Sequence, residues 1–257
     1  MPYPSPNQPI GMPFIELQTV DSTNNYALAQ VHAGLAQHGM AVFSHEQLAG
    51  KGQRGKKWVT SNHDNIALSL VIKPASLAVA QQFQLSACAA VAACSFFKKY
   101  AGEEVRIKWP NDLYWRDRKA GGILIESVVR TQSSGANTWE WAVIGIGINI
   151  NQTRFPADLP NPVSLKQITG KNSNTVELAK ELCRLFDHYY HVLITEGFEN
   201  IIPVYLSHFY KRNEKVKLKK DNRVFEAVIK GISQEGKLVV QHIIEEQFDL
   251  GEIQWLI

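Results

Sequence analysis

Two apolar runs placed close together constrain the fold of this 257-residue chain more than any other feature. They are "GGILIESVVR" at 121–130 and "WAVIGIGINI" at 141–150, and both are typical of β-strands. The turn-rich segment "TQSSGANT" lies between them and is too short for the helical crossover that joins parallel neighbours. The two runs therefore predict an antiparallel pair with hairpin-like spacing.

Other patterns predict further strands and two long helices around this pair. Strands are predicted at 40–44, 65–72 and 105–109, and Pro110 ends the last because proline cannot donate a ladder hydrogen bond. A second helix is predicted over about 175–195. The first long helix is predicted from apolar residues at steps of three and four, which are Phe83, Ala87, Ala90, Val91, Cys94 and Phe97.

The pattern changes near residue 213. From there the chain carries short apolar runs divided by "KDNR" and "SQEGK", with no room for a helix. We expect a small β-barrel here, and hence two domains, at 1–212 and 213–257.

Composition and sequence pattern argue against a nucleic-acid-binding, metal-binding, secreted or membrane-spanning protein. The net charge of +3 is too small to indicate nucleic-acid binding by itself. Cys88, Cys94 and Cys183 share no metal-ligand spacing, so we expect them in the core. The N-terminus has no signal-peptide pattern, and no apolar stretch reaches the roughly 20 residues that span a bilayer. We therefore expect a cytoplasmic protein without membrane contact.

Four short segments carry candidate chemistry. "DSTN" at 21–24 is typical of a helix start, and "QLAGKGQRGKKW" at 47–58 is either a solvated loop or one that closes over an anion. "KWPNDLY" at 108–114 is followed by "RKAGG" at 118–122, where the Asn and Asp also suit an ordinary turn. "GIGININ" at 145–151 is no dinucleotide fingerprint, because it lacks the third glycine and a following helix. Glycines in a strand often mark the close approach of a ligand or another backbone.

Taken in this order and spacing, the segments closely resemble the biotin protein ligases, also called biotin–[acetyl-CoA-carboxylase] ligases. The resemblance covers about 21–151 and is less distinct beyond. It implies an α+β fold, with a mixed β-sheet flanked by helices, related to class II aminoacyl-tRNA synthetases and lipoate ligases, and a C-terminal SH3-like barrel. It also implies an ATP-dependent enzyme that uses Mg²⁺, forms biotinyl-5′-AMP and biotinylates one lysine of a biotin carboxyl carrier protein or domain.

The resemblance also implies the site residues. The catalytic residues are expected to be Lys119, Lys51 and Arg54, and Asp112 is the expected Mg²⁺ ligand. ATP is expected at Trp58, Lys108, Asn111 and Asn149. Biotin is expected at Ser22, Thr23, Asn24, Gln47, Gly50, Lys51, Gly52, Gln53, Lys119 and Gly122.

One departure concerns the loop. Many family members carry arginine at the positions of Lys51 and Gln53. Here Lys51 keeps the charge but Gln53 is neutral, so Arg54 is the obvious substitute as the loop side chain that meets the ligand phosphate. Alternatives are a lipoate or octanoate ligase, a non-catalytic biotin-binding module and, less well matched, a nucleic-acid binder. Only about 20 residues precede "DSTN", so we expect no winged-helix domain and no sequence-specific DNA binding. The chain is expected to be a monomer or a homodimer, the latter by pairing of the "GIGINI" strand if its edge is exposed.

Overall fold

The computed structural model describes residues 9–74, 77–132, 135 and 137–256. Its largest element is a seven-stranded sheet in the order β1-β2-β3-β7-β6-β5-β4. The strands are β1 Phe14–Val20, β2 Ala41–Gln47, β3 Asn65–Ile72, β4 Val105–Lys108, β5 Asp112–Trp115, β6 Arg118–Thr131 and β7 Asn137–Asn149. β1 and β2 are parallel, and the other neighbours are antiparallel. The mixed sheet is therefore confirmed.

The predicted antiparallel pair is β6 and β7, and it lies inside the sheet. β7 hydrogen-bonds β3 on one side and β6 on the other. Pairing of "GIGINI" across a two-fold axis was therefore a wrong expectation, because neither side of this strand is free. Residues 133, 134 and 136 of the predicted turn lie outside the described residues.

Helices cover both faces of the sheet. Helices α2 (Gln82–Ala101) and α4 (Thr175–Thr195) pack against each other and on the face that carries Ile144, Ile146 and Ile148. α1 packs on the opposite face, against Val71 and Val143. Side chains alternate along a strand, so the residues between the three isoleucines face the α1 side. The described helices of four residues or more are α1 Thr23–His32, α2 Gln82–Ala101, α3 Leu165–Thr169, α4 Thr175–Thr195 and α5 Ile202–Ser207.

The cysteines belong to the core, as predicted. All three are buried and free. Burial raises the pKa of the Cys94 and Cys183 thiols to about 12. These thiols therefore stay neutral and pack as small apolar groups.

The C-terminal part forms a second antiparallel sheet, in the order β11-β10-β9-β8-β12. Its strands are β8 Lys215–Lys220, β9 Arg223–Ile232, β10 Leu238–Gln241, β11 Glu245–Phe248 and β12 Gln254–Leu256. The predicted short strands form a small sheet, but the expected barrel is not confirmed, because the described ladder ends at β11 and β12 without closing. These two strands are short, with four and three residues, and among the described strands each pairs on one side only.

The two sheets share one apolar core. Leu218 and Ile229 of the C-terminal sheet belong to the same buried cluster as α2. The indole Nε1 of Trp109 also donates to the Gly236 carbonyl at 2.9 Å. The division at residue 212 stays a prediction. Among the described residues, no helix has both the length and the apolar character to cross a bilayer.

Candidate active site

A cavity of about 320 Å³ opens on the α1 side of the seven-stranded sheet. Its walls come from the start of α1, the loop after β2, the β4–β5 turn, the central strands, the loop at 155–162 and the C-terminal residues 250–255. It brings together most of the residues predicted from the sequence: Ser22, Thr23, Asn24, Gln47, Lys51, Gly52, Gln53, Arg54, Trp58, Asn111, Asp112, Lys119, Gly122 and Asn149. Of the predicted set, Gly50 and Lys108 do not line it.

The floor of the cavity is flat because three small residues lie side by side. Ala67, Gly147 and Gly122 are register partners on β3, β7 and β6. The indole of Trp58 lies on this floor, since a Cβ at Gly147 would stand only 2.4 Å from its Cε2 atom. Gly147 is therefore the close approach that a glycine inside a strand suggested. Among the described residues, the buried Trp58 Nε1 has no hydrogen-bond partner, so its N–H can be satisfied by a ligand.

A second glycine on β7 makes room for α1. A Cβ at Gly145 would lie 2.4 Å from Oδ1 of Asn24. The helix start predicted at "DSTN" is confirmed, since α1 begins at Thr23. Within the part of the chain that the structure describes, the N-cap residue Ser22 makes no side-chain capping bond. The side chains of Thr23 and Asn24 instead face their neighbours on the sheet.

Those neighbours form what we call the polar pocket, which consists of Thr23, Asn24, Gln47 and Ser69. Gln47 Oε1 accepts from the backbone N–H of Thr23 at 2.8 Å and lies 3.1 Å from the Thr23 hydroxyl oxygen. The Ser69 hydroxyl lies 2.6 Å from Asn24 Oδ1 and 2.8 Å from Thr23 Oγ1. Thr23, Asn24 and Ser69 are buried. The pocket is uncharged and suits a neutral ligand group that both donates and accepts hydrogen bonds.

The glycine-rich loop at 50–57 folds back on itself beside this pocket. Trp58 donates to the Gly50 carbonyl at 2.9 Å, and Gly52 donates to the Lys56 carbonyl at 2.7 Å. A Cβ at Gly50 would lie 2.4 Å from the Trp58 carbonyl oxygen. Gly50 therefore supports the position of Trp58 through close backbone contact rather than by lining the cavity.

Arg54 joins this loop to the C-terminal sheet. Its backbone is left-handed, with φ 57°, in the 3-10 turn Gln53–Gly55. The guanidinium donates to the carbonyls of Leu250 and Gly251, at 3.0 and 3.1 Å. The sequence predicted a contact with ligand phosphate, whereas the structure places this cation on two carbonyl oxygens at the rim of the cavity.

Lys119 and Asp112 form an ion pair inside the cavity. Their Nζ and Oδ1 atoms are 2.6 Å apart, and both side chains are about one-third exposed, at 33% and 29%. The Lys119 backbone is fixed, because its N–H donates to the Asn161 carbonyl and its carbonyl accepts from Val163, each at 2.8 Å. Asp112 begins β5, so the predicted turn is a tight hairpin between β4 and β5.

The amides of Asn111 and Asn149 are buried and anchored to the backbone. Asn111 donates to the Ile123 carbonyl, and Asn149 donates to the Val163 carbonyl at 3.1 Å. Both residues also line the cavity, so they contribute to its shape as well as offering polar atoms.

Lys108 lies behind the cavity wall. Its Nζ contacts the Tyr114 hydroxyl at 3.2 Å and lies 4.8 Å from the Tyr114 ring centroid and 5.6 Å from that of Trp255. Burial, with smaller contributions from Lys119 and Lys56, lowers the pKa of Lys108 to about 8, although Asp112 opposes the shift. The side chain is therefore partly neutral near physiological pH.

The biotin/lipoate A/B protein ligase family matches residues 16–149, more than half of the chain. The chain belongs to this family. A similar relative is the Escherichia coli K12 bifunctional ligase/repressor BirA, 31% identical over 88% of this chain and 68% of the relative. The biotin–[acetyl-CoA-carboxylase] ligase of Paracoccus denitrificans is 32% identical over 88% of this chain and 92% of the relative.

Solved structures show the same fold. The biotin protein ligase of Aquifex aeolicus in complex with biotin and ATP matches with a TM-score of 0.78 at 22% identity. The match covers 94% of this chain and 97% of that one. At this level of identity the comparison concerns the fold alone.

Sequence reasoning missed several residues of this family member's site. No local pattern in the sequence marks a residue as a neighbour of the glycine-rich loop or the polar pocket. Four such residues were therefore given no role: Ser69, Leu250, Gly251 and Trp255. Glu126 was also passed over. Its signal was present, because a carboxylate at the fourth position after Gly122, on the same face of an apolar strand, needs a partner.

Proposed function

We propose that the chain is an ATP-dependent biotin ligase that activates biotin as biotinyl-5′-AMP and transfers it to a lysine of a carrier protein. The observation that carries the proposal is one cavity that combines an uncharged polar pocket, an indole face and a lysine. The ureido group of biotin offers two N–H donors and one carbonyl, which the polar pocket can match. The named relatives and solved complexes support the same activity.

Lys119 is the proposed catalytic residue for adenylation. A carboxylate oxygen of biotin attacks the α-phosphorus of ATP, a new P–O bond forms, and pyrophosphate leaves with the electrons of the broken bond. Two anionic groups must approach each other in this step. A cation beside both lowers their repulsion and stabilises the charge that develops on phosphorus. The fixed backbone of Lys119 supports such a position, since less reorganisation is then needed.

In the second step the neutral amine of the acceptor lysine attacks the carbonyl of the mixed anhydride. An amide C–N bond forms, the C–O bond to the phosphate breaks so that AMP leaves with its electrons, and the attacking nitrogen loses one proton to solvent. Lys119 would polarise the same carbonyl. Lys51 and Arg54 are proposed to keep the loop closed, so that water does not reach the anhydride before the acceptor arrives.

Mg²⁺ is proposed to arrive with the nucleotide. Asp112 supplies one carboxylate, whose Oδ1 is paired with Lys119. No group of three acidic, histidine or cysteine side chains among the described residues forms a metal site. This donor set fits an ion held largely by phosphate oxygens, which is common for Mg²⁺. The ion would neutralise phosphate charge there.

The nucleotide is proposed to stack on Trp58. Asn111, Asn149 and Lys108 would contribute polar groups around the phosphates, with Lys108 acting from behind the wall. Leu250, Gly251 and Trp255 bring the C-terminal sheet to the same end of the cavity. We infer that this sheet aids nucleotide or carrier binding and supplies no catalytic acid or base. An SH3-like fold for it stays a proposal.

Titration calorimetry with biotin and with lipoate separates the two ligases that share this family. Biotin should bind and lipoate should not, and the opposite result would overturn the proposal. ATP–pyrophosphate exchange that depends on biotin then distinguishes an enzyme from a binding module. The acceptor protein, the absence of sequence-specific DNA binding, the monomeric or homodimeric state and the cytoplasmic location stay predictions.

A further inference from the structure

Glu126 has no role in the reaction as proposed so far, yet it contacts two parts of the site. It lies on β6 on the same face as Gly122 and Leu124, which line the cavity. Its Oε2 atom accepts from Asn24 Nδ2 at 2.7 Å. Its Oε1 atom lies 3.5 Å from Nζ of Lys51. The carboxylate therefore joins α1, the glycine-rich loop and the central sheet.

A carboxylate can only accept hydrogen bonds, and this settles the direction of the next bond. Asn24 must turn its NH₂ group toward Glu126, which leaves its Oδ1 atom toward Ser69. Because Oδ1 also only accepts, the single hydroxyl proton of Ser69 is donated to Asn24. Ser69 Oγ then has only lone pairs for Thr23, so the 2.8 Å contact is a bond donated by the Thr23 hydroxyl.

The direction of this chain decides what the pocket offers to a ligand. With its proton on the Ser69 side, Thr23 Oγ1 keeps a lone pair open. Gln47 Oε1 then accepts only from the Thr23 amide at 2.8 Å, so it also keeps acceptor capacity. If the chain ran the other way, Thr23 would donate to Gln47 across their 3.1 Å contact and accept from Ser69. Gln47 Oε1 would then have both lone pairs occupied, and Thr23 Oγ1 would have one of its two occupied.

We propose that Glu126 is a positioning residue that sets the direction of the hydrogen-bond chain Thr23–Ser69–Asn24 and so keeps acceptors open for a ligand N–H. This deepens the proposed function and rests on it, since the ligand is taken to be the ureido group of biotin. Glutamine at 126 keeps the shape but can donate to Asn24 Oδ1. Every bond in the chain can then reverse without leaving any group unpaired.

The test compares Glu126→Gln with the wild type in titrations of biotin, desthiobiotin and a biotin methylated at a ureido nitrogen. Loss of one to two hydrogen bonds should weaken biotin and desthiobiotin by about tenfold. The methylated compound lacks one N–H and should weaken much less, so its affinity relative to biotin rises. A merely structural role would weaken all three ligands alike, and that result overturns the proposal.

Two further variants keep the outcome clear. Ser69→Ala breaks the chain at its middle and should raise the same relative affinity, and it serves if Glu126→Gln does not fold. Lys51→Met removes the ion pair but leaves the chain. Because Lys51 belongs to the closing loop, this variant should weaken all three ligands alike, and their affinity ratio should stay that of the wild type. Failure of the wild type to bind biotin refutes the proposed function instead, because the inference concerns only the difference between ligands.

Discussion

Gly145 and Gly147 lie two residues apart on the same face of β7, and each lies under a different side chain. A Cβ at Gly147 would stand 2.4, 2.7 and 2.8 Å from three indole atoms of Trp58. A Cβ at Gly145 would stand 2.4 Å from Asn24 Oδ1. If Trp58 belongs to the nucleotide site and Asn24 to the biotin site, alanine at each position should damage one site and leave the other intact.

The size of the effect follows from the distances. Comfortable contacts between carbon atoms are about 3.5–4.0 Å, so the indole must move by about 1 Å. Overpacking of this kind costs about 1–3 kcal/mol. If the displaced side chain must return to its original position when the ligand binds, this free energy opposes binding. The affinity for that ligand then falls by about 5- to 150-fold. Gly147→Ala should therefore raise KM for ATP, and Gly145→Ala should raise Kd for biotin.

Each variant is the control for the other, since both add one methyl group to the same strand. Biotin Kd is measured by titration calorimetry, ATP KM by pyrophosphate exchange at saturating biotin, and folding by thermal unfolding. The expected result is a crossed pattern, with each variant impaired by about tenfold or more in one constant and near the wild type in the other. Equal damage to both constants in both variants would refute the assignment of Trp58 and Asn24 to separate sites.

Three further variants probe the cations of the site, and a fourth, at Gln53, is a control. Lys119→Ala should lower kcat by about 10²-fold with a smaller change in biotin Kd, because the transition state loses one electrostatic stabiliser. Near-normal turnover of this variant would exclude Lys119 as the catalytic residue. Arg54→Ala removes two bonds to the C-terminal sheet and should release adenylate about fivefold faster, measured as biotin on an added non-substrate protein. Gln53→Ala is the matched control and should release adenylate more slowly than Arg54→Ala. Faster release from Gln53→Ala would contradict the proposed role of Arg54. The pKa of Lys108 is lowered to about 8, so its ammonium is lost as pH rises through that value and ATP affinity should fall. Lys108→Arg should remove this pH dependence of the ATP KM, and an unchanged profile would show that another group titrates.

Local patterns in the sequence were sufficient to predict several of the elements and the candidate catalytic residues. Its apolar periods predicted the second long helix, now α4 at Thr175–Thr195, and the strand at 65–72. The motif "KWPND" with the following "KAGG", through its resemblance to a family, singled out Lys119 and Asp112 in separate roles, and their side chains lie 2.6 Å apart in the structure. These features are local, because side-chain period and turn chemistry act over a few residues.

The contacts between residues far apart in sequence became known only from the tertiary structure. Arg54 contacts carbonyls about 200 residues further on, and Lys108 is shielded by Trp255 of the last strand. The register of β7 between two neighbours decides that Gly145 and Gly147 face the cavity and that Glu126 reaches Asn24. Strand pairing over such separations depends on which partners bury the most surface and satisfy the most backbone groups, and no local segment encodes that choice.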